Sequence, residues 1–289
     1  MGPLSRRGFF AVSAGGLLFA CTSGSGGSNS FSGARSSSGH GPLVIIRYFP
    51  DQIHLAGRPE RLPFGIADAE GVPLSDGPDS FTYTVTDPAG KTVLSATATR
   101  HGTGLARAYY PVEVNLPTAG VYVVRASVEG RQLESVFTLN LAGASSPIGV
   151  GDLLPPFQTP TVGDPRGVNP VCTRSEPCPF HTQTLTEALA VRRPVAYLVG
   201  TPAHCQTGIC GPVLDLLVDA SASFPDVEFV HAEVFADPDG RKVAPAVGAL
   251  GLDYEPVLFI VAADGKVRTR FDVIYDGAEL RSALAAASR

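Results

Sequence analysis

The stretch Thr201-Pro202-Ala203-His204-Cys205-Gln206-Thr207-Gly208-Ile209-Cys210-Gly211-Pro212 decides how the second half of the chain is read. It follows a short apolar run, Pro194–Gly200, that predicts a buried strand. After it come Val213, Leu214, Leu216, Leu217 and Ala220 at the spacing of one helical face. Cys205 and Cys210 therefore stand where a strand gives way to a helix. A thiol at a helix N-terminus meets the positive end of the dipole and unpaired backbone N–H groups, and both favour the thiolate. Cys210 fits that place best, with Pro212 in the first turn, where a missing N–H costs little. Cys205 lies five residues back on a glycine-containing loop and swings to within disulfide distance. The expected roles are Cys210 as nucleophile and Cys205 as resolving partner, with the reverse left open. His204, next to Cys205, reads either as an aid to proton transfer or as an exposed loop residue.

Downstream, Val227–Val234 predicts a strand and Arg241–Leu250 a helix. Strands at Pro256–Val261 and Val267–Ile274 flank a turn at Ala263-Asp264-Gly265. The last helix starts near Gly277, with Asp276 as cap and Glu279 expected to complete a capping box. The order β-α-β-α-β-β-α, with cysteines after the first strand, resembles the thioredoxin family. The resemblance runs from about Pro194 to the C-terminus, with Phe157–Val191 as an N-terminal elaboration. Cys210-Gly211-Pro212 matches the first three positions of that family's Cys-Gly-Pro-Cys motif. Glu255-Pro256 falls where the family has a cis-proline facing the cysteines, so a cis Pro256 that packs on the disulfide and offers its backbone to an extended peptide is implied. The departures matter. Val213 stands at the fourth motif position, the second cysteine lies upstream in Cys205-x4-Cys210, no Trp precedes the motif, and Pro194–Gly200 contains no carboxylate.

A second pair lies in Val171-Cys172-Thr173-Arg174-Ser175-Glu176-Pro177-Cys178-Pro179-Phe180-His181, ahead of a helix expected over Thr184–Val191. Cys172-x5-Cys178 with Pro177 between reads as a loop stapled by a structural disulfide. The functional alternatives are a relay pair exchanging with Cys205/Cys210, or a metal site that His181 joins. Both need proximity that spacing does not supply.

Leu43–Leu141 is different in kind: short β-rich runs separated by turn residues. The expected strands are Val44–Phe49, Arg61–Ile66, Phe81–Thr86, Val93–Thr99, Ala106–Leu116, Tyr122–Val128 and Leu133–Leu141, with a hairpin at Asp87-Pro88-Ala89-Gly90. Seven such strands predict an all-β sandwich of the immunoglobulin type. Leu116-Pro117-Thr118-Ala119-Gly120-Val121-Tyr122 resembles its tyrosine corner. No cysteine or Trp lies in this segment, and His54 and His101 read as surface loop residues, so it is expected to be an interaction or spacer module.

The N-terminus reads as an address. Arg6 and Arg7 precede the apolar run Phe9–Ala20, and Ser5-Arg6-Arg7-Gly8-Phe9-Phe10 resembles a twin-arginine signal, which implies export of a folded chain. Leu18-Phe19-Ala20-Cys21 resembles a lipobox, which implies lipidation of Cys21. Ser and Gly then fill 14 of the 20 residues from Thr22 to Gly41, a tether of roughly 25 Å root-mean-square span.

Composition sets the outer limits. In 289 residues, 44% are hydrophobic and 17% charged, which excludes wholesale disorder, and no apolar run reaches membrane-spanning length. A net charge of −5 offers no basic footprint for nucleic acid. With 32 glycines and 25 prolines, about a fifth of the chain, long helices are not expected. Of five cysteines, assigning Cys21 to lipid leaves two closely spaced pairs.

These observations divide the chain into a signal (1–21), a linker (22–41), an immunoglobulin-like sandwich (42–144) and a thioredoxin-like α/β domain (145–289). The function they favour is thiol–disulfide exchange by Cys205 and Cys210, assisted by Pro256, on the extracytoplasmic face of the membrane. Its partners would be thiols or disulfides of exported proteins, or a membrane reductant. That reading requires no cofactor and no resident metal. The alternatives are a copper metallochaperone using the same cysteines, and a non-enzymatic binding lipoprotein with a structural disulfide.

Overall fold

Alternation of inward apolar and outward polar side chains builds the first domain, as in β6 (Gly120–Val128), where Tyr122, Val124, Ala126 and Val128 are buried and Arg125 and Ser127 are exposed. The structure is a computed structural model that describes residues 41–143 and 146–289. The signal, Cys21 and nearly all of the Ser/Gly tether lie outside the described residues. Seven strands are formed: β1 (Leu43–Arg47), β2 (Glu60–Asp68), β3 (Ser80–Thr86), β4 (Thr92–Thr99), β5 (Tyr110–Val114), β6 and β7 (Arg131–Leu139). They pair antiparallel in two sheets, β1-β2-β5 and β4-β3-β6-β7. Between the sheets lie Leu62, Phe64, Ile66, Val112, Tyr83, Val85, Val124 and Phe137. This is an immunoglobulin-like sandwich. Tyr122 OH donates to Thr118 O at 2.7 Å, which closes the tyrosine corner. Asp87 Oδ1 accepts from the amides of Ala89 and Lys91, and Gly90 takes φ +85° to close the β3–β4 hairpin. β5 is shorter than the run Ala106–Leu116, because its partner β2 pairs with it only from Glu60 to Phe64.

The two histidines of this domain are not surface loop residues. His54 is fully buried, with Nδ1 2.9 Å from Glu60 Oε2, a carboxylate that also holds Arg58. His101 is half-buried, with Nδ1 3.0 Å from Asp276 Oδ2 in the second domain.

The second domain is an α/β layer structure. After α1 (Leu185–Ala190) come β8 (Val195–Val199), α2 (Cys210–Ser221), β9 (Glu228–Ala232), α3 (Pro245–Leu250), β10 (Val257–Val261), β11 (Val267–Asp272) and α4 (Gly277–Ala287). The sheet order is β11-β10-β8-β9, with β9 parallel to β8 and the other pairs antiparallel. Every residue of β8 and β10 is buried, as expected of central strands covered on both faces. Ala196, Leu198, Leu258 and Ile260 face Val213, Leu214 and Leu217 of α2 and Leu280 and Leu284 of α4. On the other face Val195, Tyr197, Val257 and Phe259 meet Leu185 of α1 and Leu250 of α3. Each such side chain contributes about 1.5–3 kcal/mol by leaving water. α3 starts at Pro245 instead of Arg241, because Asp237 Oδ1 first captures the amides of Arg241 and Lys242 in a turn. No helix among the described residues is long and apolar enough to cross a membrane.

The C-terminal capping box is half-made. Asp276 accepts from the amides of Ala278 and Glu279, but the Glu279 carboxylate does not reach back to the cap. It is taken by Arg61 of the sandwich, through Nε at 2.8 Å and Nη2 at 2.7 Å, and by the Tyr109 hydroxyl. Tyr48 and Tyr109 of the sandwich are buried with the α2–α4 core. The described residues of both domains fall in one compact unit.

Candidate functional site

Cys205 and Cys210 form a disulfide with a Cα–Cα distance of 5.9 Å. Gly208, at φ +68°, turns the loop back, and its N–H donates to Cys205 O at 3.1 Å. This delivers Cys210 as the first residue of α2. The helix has Ile209 at its N-cap and therefore no capping oxygen. The sulfur of Cys205 occupies that role, accepting the Cys210 N–H at 3.3 Å. Pro212 removes one further unpaired donor from the first turn. Arg107 of the sandwich donates to Thr207 O at 2.8 Å and so braces the loop between the two cysteines.

The two sulfurs are not equivalent. Cys210 is 1% exposed, whereas Cys205 is half-buried. Cys205 is the more accessible of the two and accepts the helix amide, a contact that would stabilise a thiolate there. Cys210 is sealed inside, with Glu255 Oε2 3.5 Å from its Sγ. Of the two, Cys205 is the more exposed and Cys210 the enclosed one, the opposite order of access to that expected from helix position alone. Position along the helix was visible in the sequence, but burial was not.

Glu255, just before β10, brings a carboxylate to the enclosed sulfur. Its Oε2 accepts the Thr201 N–H at 2.5 Å, and burial pushes its carboxyl above the ordinary value against the pull of that N–H. The Glu255–Pro256 peptide is cis. Pro256 is buried, and its carbonyl accepts from Val273 N at 2.9 Å. Gly200 separates Pro256 from the disulfide. A Cβ built there would lie 3.1 Å from Pro256 Cβ and 3.8 Å from Cys210 Cβ, which explains why the strand ends on glycine.

A groove of about 430 Å³ lies beside the exposed sulfur, lined by Cys205, Phe235, Val243, Val247, Leu252 and Tyr254. His204 also borders it, but its ring is engaged elsewhere. Its Nε2 donates to Pro238 O at 3.0 Å, and Phe235 meets it edge-on. The larger cleft, about 670 Å³ between the sandwich and β11/α4, has no cysteine in its walls.

The Cys172–Cys178 staple expected from the sequence is not formed; both cysteines are free and buried. Each faces a histidine instead of the other pair. Cys172 Sγ and Cys178 Sγ lie 4.0 and 3.5 Å from His231 Nδ1, and that nitrogen is 3.0 Å from His181 Nε2. His231 sits on β9, 50 residues from His181, so local spacing gave no sign of it. His231, flanked by Val230 and Ala232 in the buried half of the strand, was the available clue.

No known family description matches this chain, and no curated protein matches it. Among solved structures, a Salmonella alpha-2-macroglobulin mutant is 17% identical over 43% of this chain, with a TM-score of 0.28. The chain spans only 8% of that protein's length. The Lin-41 filamin domain is 17% identical, with 35% of this chain and 99% of that one covered and a TM-score of 0.26. The PKD domain of the human VPS10 domain-containing receptor SorCS2 is 20% identical, covering 43% and 99%, with a TM-score of 0.21. Likenesses this distant say nothing about chemistry, and the sandwich rests on its own strand pairing.

Proposed function

We propose that this chain is a lipid-anchored, extracytoplasmic thiol–disulfide oxidoreductase whose α/β domain is thioredoxin-like. One observation carries the reading: a half-exposed Cys205 sulfur, capping a helix, is bonded to a buried Cys210 that abuts Glu255 and faces Pro256 across Gly200. The sheet order β11-β10-β8-β9 and the cis Pro256 support the thioredoxin-like assignment. The twin-arginine and lipobox resemblances around Arg6, Arg7 and Cys21 support the location.

In the reduced protein, the Cys205 thiolate attacks one sulfur of a partner disulfide. A mixed disulfide forms, and the other partner sulfur leaves as a thiolate. Glu255 takes the proton from the Cys210 thiol, and the Cys210 sulfur attacks Cys205 Sγ. The second partner thiolate leaves and is protonated, the partner gains two electrons, and the protein is left as the Cys205–Cys210 disulfide. Run in reverse, the same steps oxidise a dithiol. The groove beside Cys205 suits an extended apolar segment of an exported protein. The copper-carrier reading is weaker, because the third donor beside these cysteines is a hard carboxylate oxygen.

The test is trapping. Cys210→Ser should accumulate mixed disulfides through Cys205, and the trapped partner names the substrate. Redox titration with alkylation should place the pair above about −300 mV. A pair that stays oxidised below that value, with no trapped species, would make the bond a structural staple and the chain a binding lipoprotein.

A further inference from the structure

We infer that Cys172, Cys178, His181 and His231 form a closed tetrahedral zinc site, separate from the exchange pair. Their ligand atoms all lie within 4.8 Å of one another. An ordinary tetrahedral zinc centre has N–N, N–S and S–S edges of about 3.4, 3.6 and 3.8 Å. The edges here are 3.0 Å between the two nitrogens, and 3.5 and 4.0 Å from His231 Nδ1 to the two sulfurs. Exposures are 5% and 6% for the cysteines, 1% for His181 and 0% for His231. Four lone-pair donors thus converge where water does not reach, and a closed site with no open position is the structural kind.

The surrounding hydrogen bonds fix the donors. His231 Nε2 donates to Gly200 O at 2.8 Å, which sets the tautomer and aims the Nδ1 lone pair at the cluster. Cys178 N–H donates to Cys172 Sγ at 3.4 Å, a bond that steadies a coordinated thiolate. The loop is held to its strand, because His231 N–H donates to Phe180 O and Phe180 stacks on Phe229. Glu233, two residues beyond His231, accepts from both the backbone and the hydroxyl of Thr173. Two thiolates and two imidazoles suit zinc, which demands no change of oxidation state. Loading displaces two thiol protons to solvent and forms two Zn–S and two Zn–N bonds.

The test uses the full chain from zinc-supplemented growth. One zinc per chain should survive gel filtration in the wild type and in a Cys205→Ser, Cys210→Ser double variant, and should be lost with Cys172→Ser plus Cys178→Ser. Because the last variant risks misfolding, the wild type carries an independent arm. Exchange with cobalt(II) should give tetrahedral ligand-field bands with thiolate charge transfer, and Cys172 and Cys178 should alkylate only after chelation. Zinc at trace level, a Cys172–Cys178 disulfide in peptide maps, or stoichiometric copper in place of zinc would overturn the assignment.

Discussion

Two cysteine pairs of nearly equal spacing have opposite fates in this chain. Cys205 and Cys210 are bonded to each other at a strand–helix junction with one sulfur reachable from solvent. Cys172 and Cys178 are unbonded and buried, and both point at imidazole. The neighbours decide the difference. Beside the first pair stand a helix amide and a part-buried carboxylate, which in the proposed function tune it for exchange, while two histidines stand beside the sulfurs of the second as fellow donors of the proposed metal site. Gly200 serves both: its lack of a side chain admits Pro256 to the disulfide, and its carbonyl orients His231.

The sharpest way to break this contrast is differential alkylation after mild reduction. Cys205 should label first, Cys210 orders of magnitude more slowly, and Cys172 and Cys178 not at all until a chelator is added. Mass mapping that found the second pair labelled alongside Cys205 would abolish the distinction. The next largest effect belongs to Glu255→Gln. Loss of a general base should slow resolution of the mixed disulfide by about 10²-fold, with attack by Cys205 little changed. In the wild type the resolving rate should rise with pH through the raised Glu255 value, because only the carboxylate accepts the Cys210 proton. The variant should lose that rise, and stopped-flow traces that kept it would remove Glu255 from the mechanism.

Gly200→Ala probes the shared residue. Its new Cβ presses on Pro256, and overpacking of this kind costs about 1–3 kcal/mol of unfolding free energy, read by denaturant titration. Exchange and metal retention should weaken together; loss of one alone would mean that the two sites are independent. The smallest effect should come from His101→Gln, a control away from both pairs. The hydrogen bond to Asp276 raises the His101 value, against the opposing effect of burial. Its stabilisation is therefore complete below about pH 6.5 and is lost as pH rises through the raised folded value. Asp276 itself, despite burial, is held far below the ordinary carboxylate range by His101 and by the amides of Glu279 and Gly102. The variant should flatten the decline in stability that begins near pH 6.5 by about 1 kcal/mol or less, measured as melting temperature against pH.

Much of this was legible from local pattern. All seven sandwich strands, the Asp87 hairpin and the Tyr122 corner follow from alternation and turn chemistry. The strand–helix junction at Cys205–Cys210 follows from a change of hydrophobic period. What local pattern could not supply was anything set by distance along the chain. His231 reaches Cys172 across 59 residues, and Glu255 reaches Cys210 across 45. Glu279 sits at the right position for a capping box, yet a guanidinium 218 residues away wins its carboxylate with two charge-assisted bonds. Which cysteine is reachable depends on burial, and that too is decided by the whole fold.

Tyr48 and Tyr109 have a consequence of their own. They belong by sequence to the sandwich, yet they complete the packing around α2 and α4, and Arg61 neutralises Glu279 while the Tyr109 hydroxyl donates to it. The point where composition changes is therefore not a seam in free energy. A chain begun after that point would carry two aromatic-sized gaps and an orphaned carboxylate. The melting of the α/β domain is thus tied to the integrity of its neighbour, and calorimetry of the whole chain should register a single cooperative event.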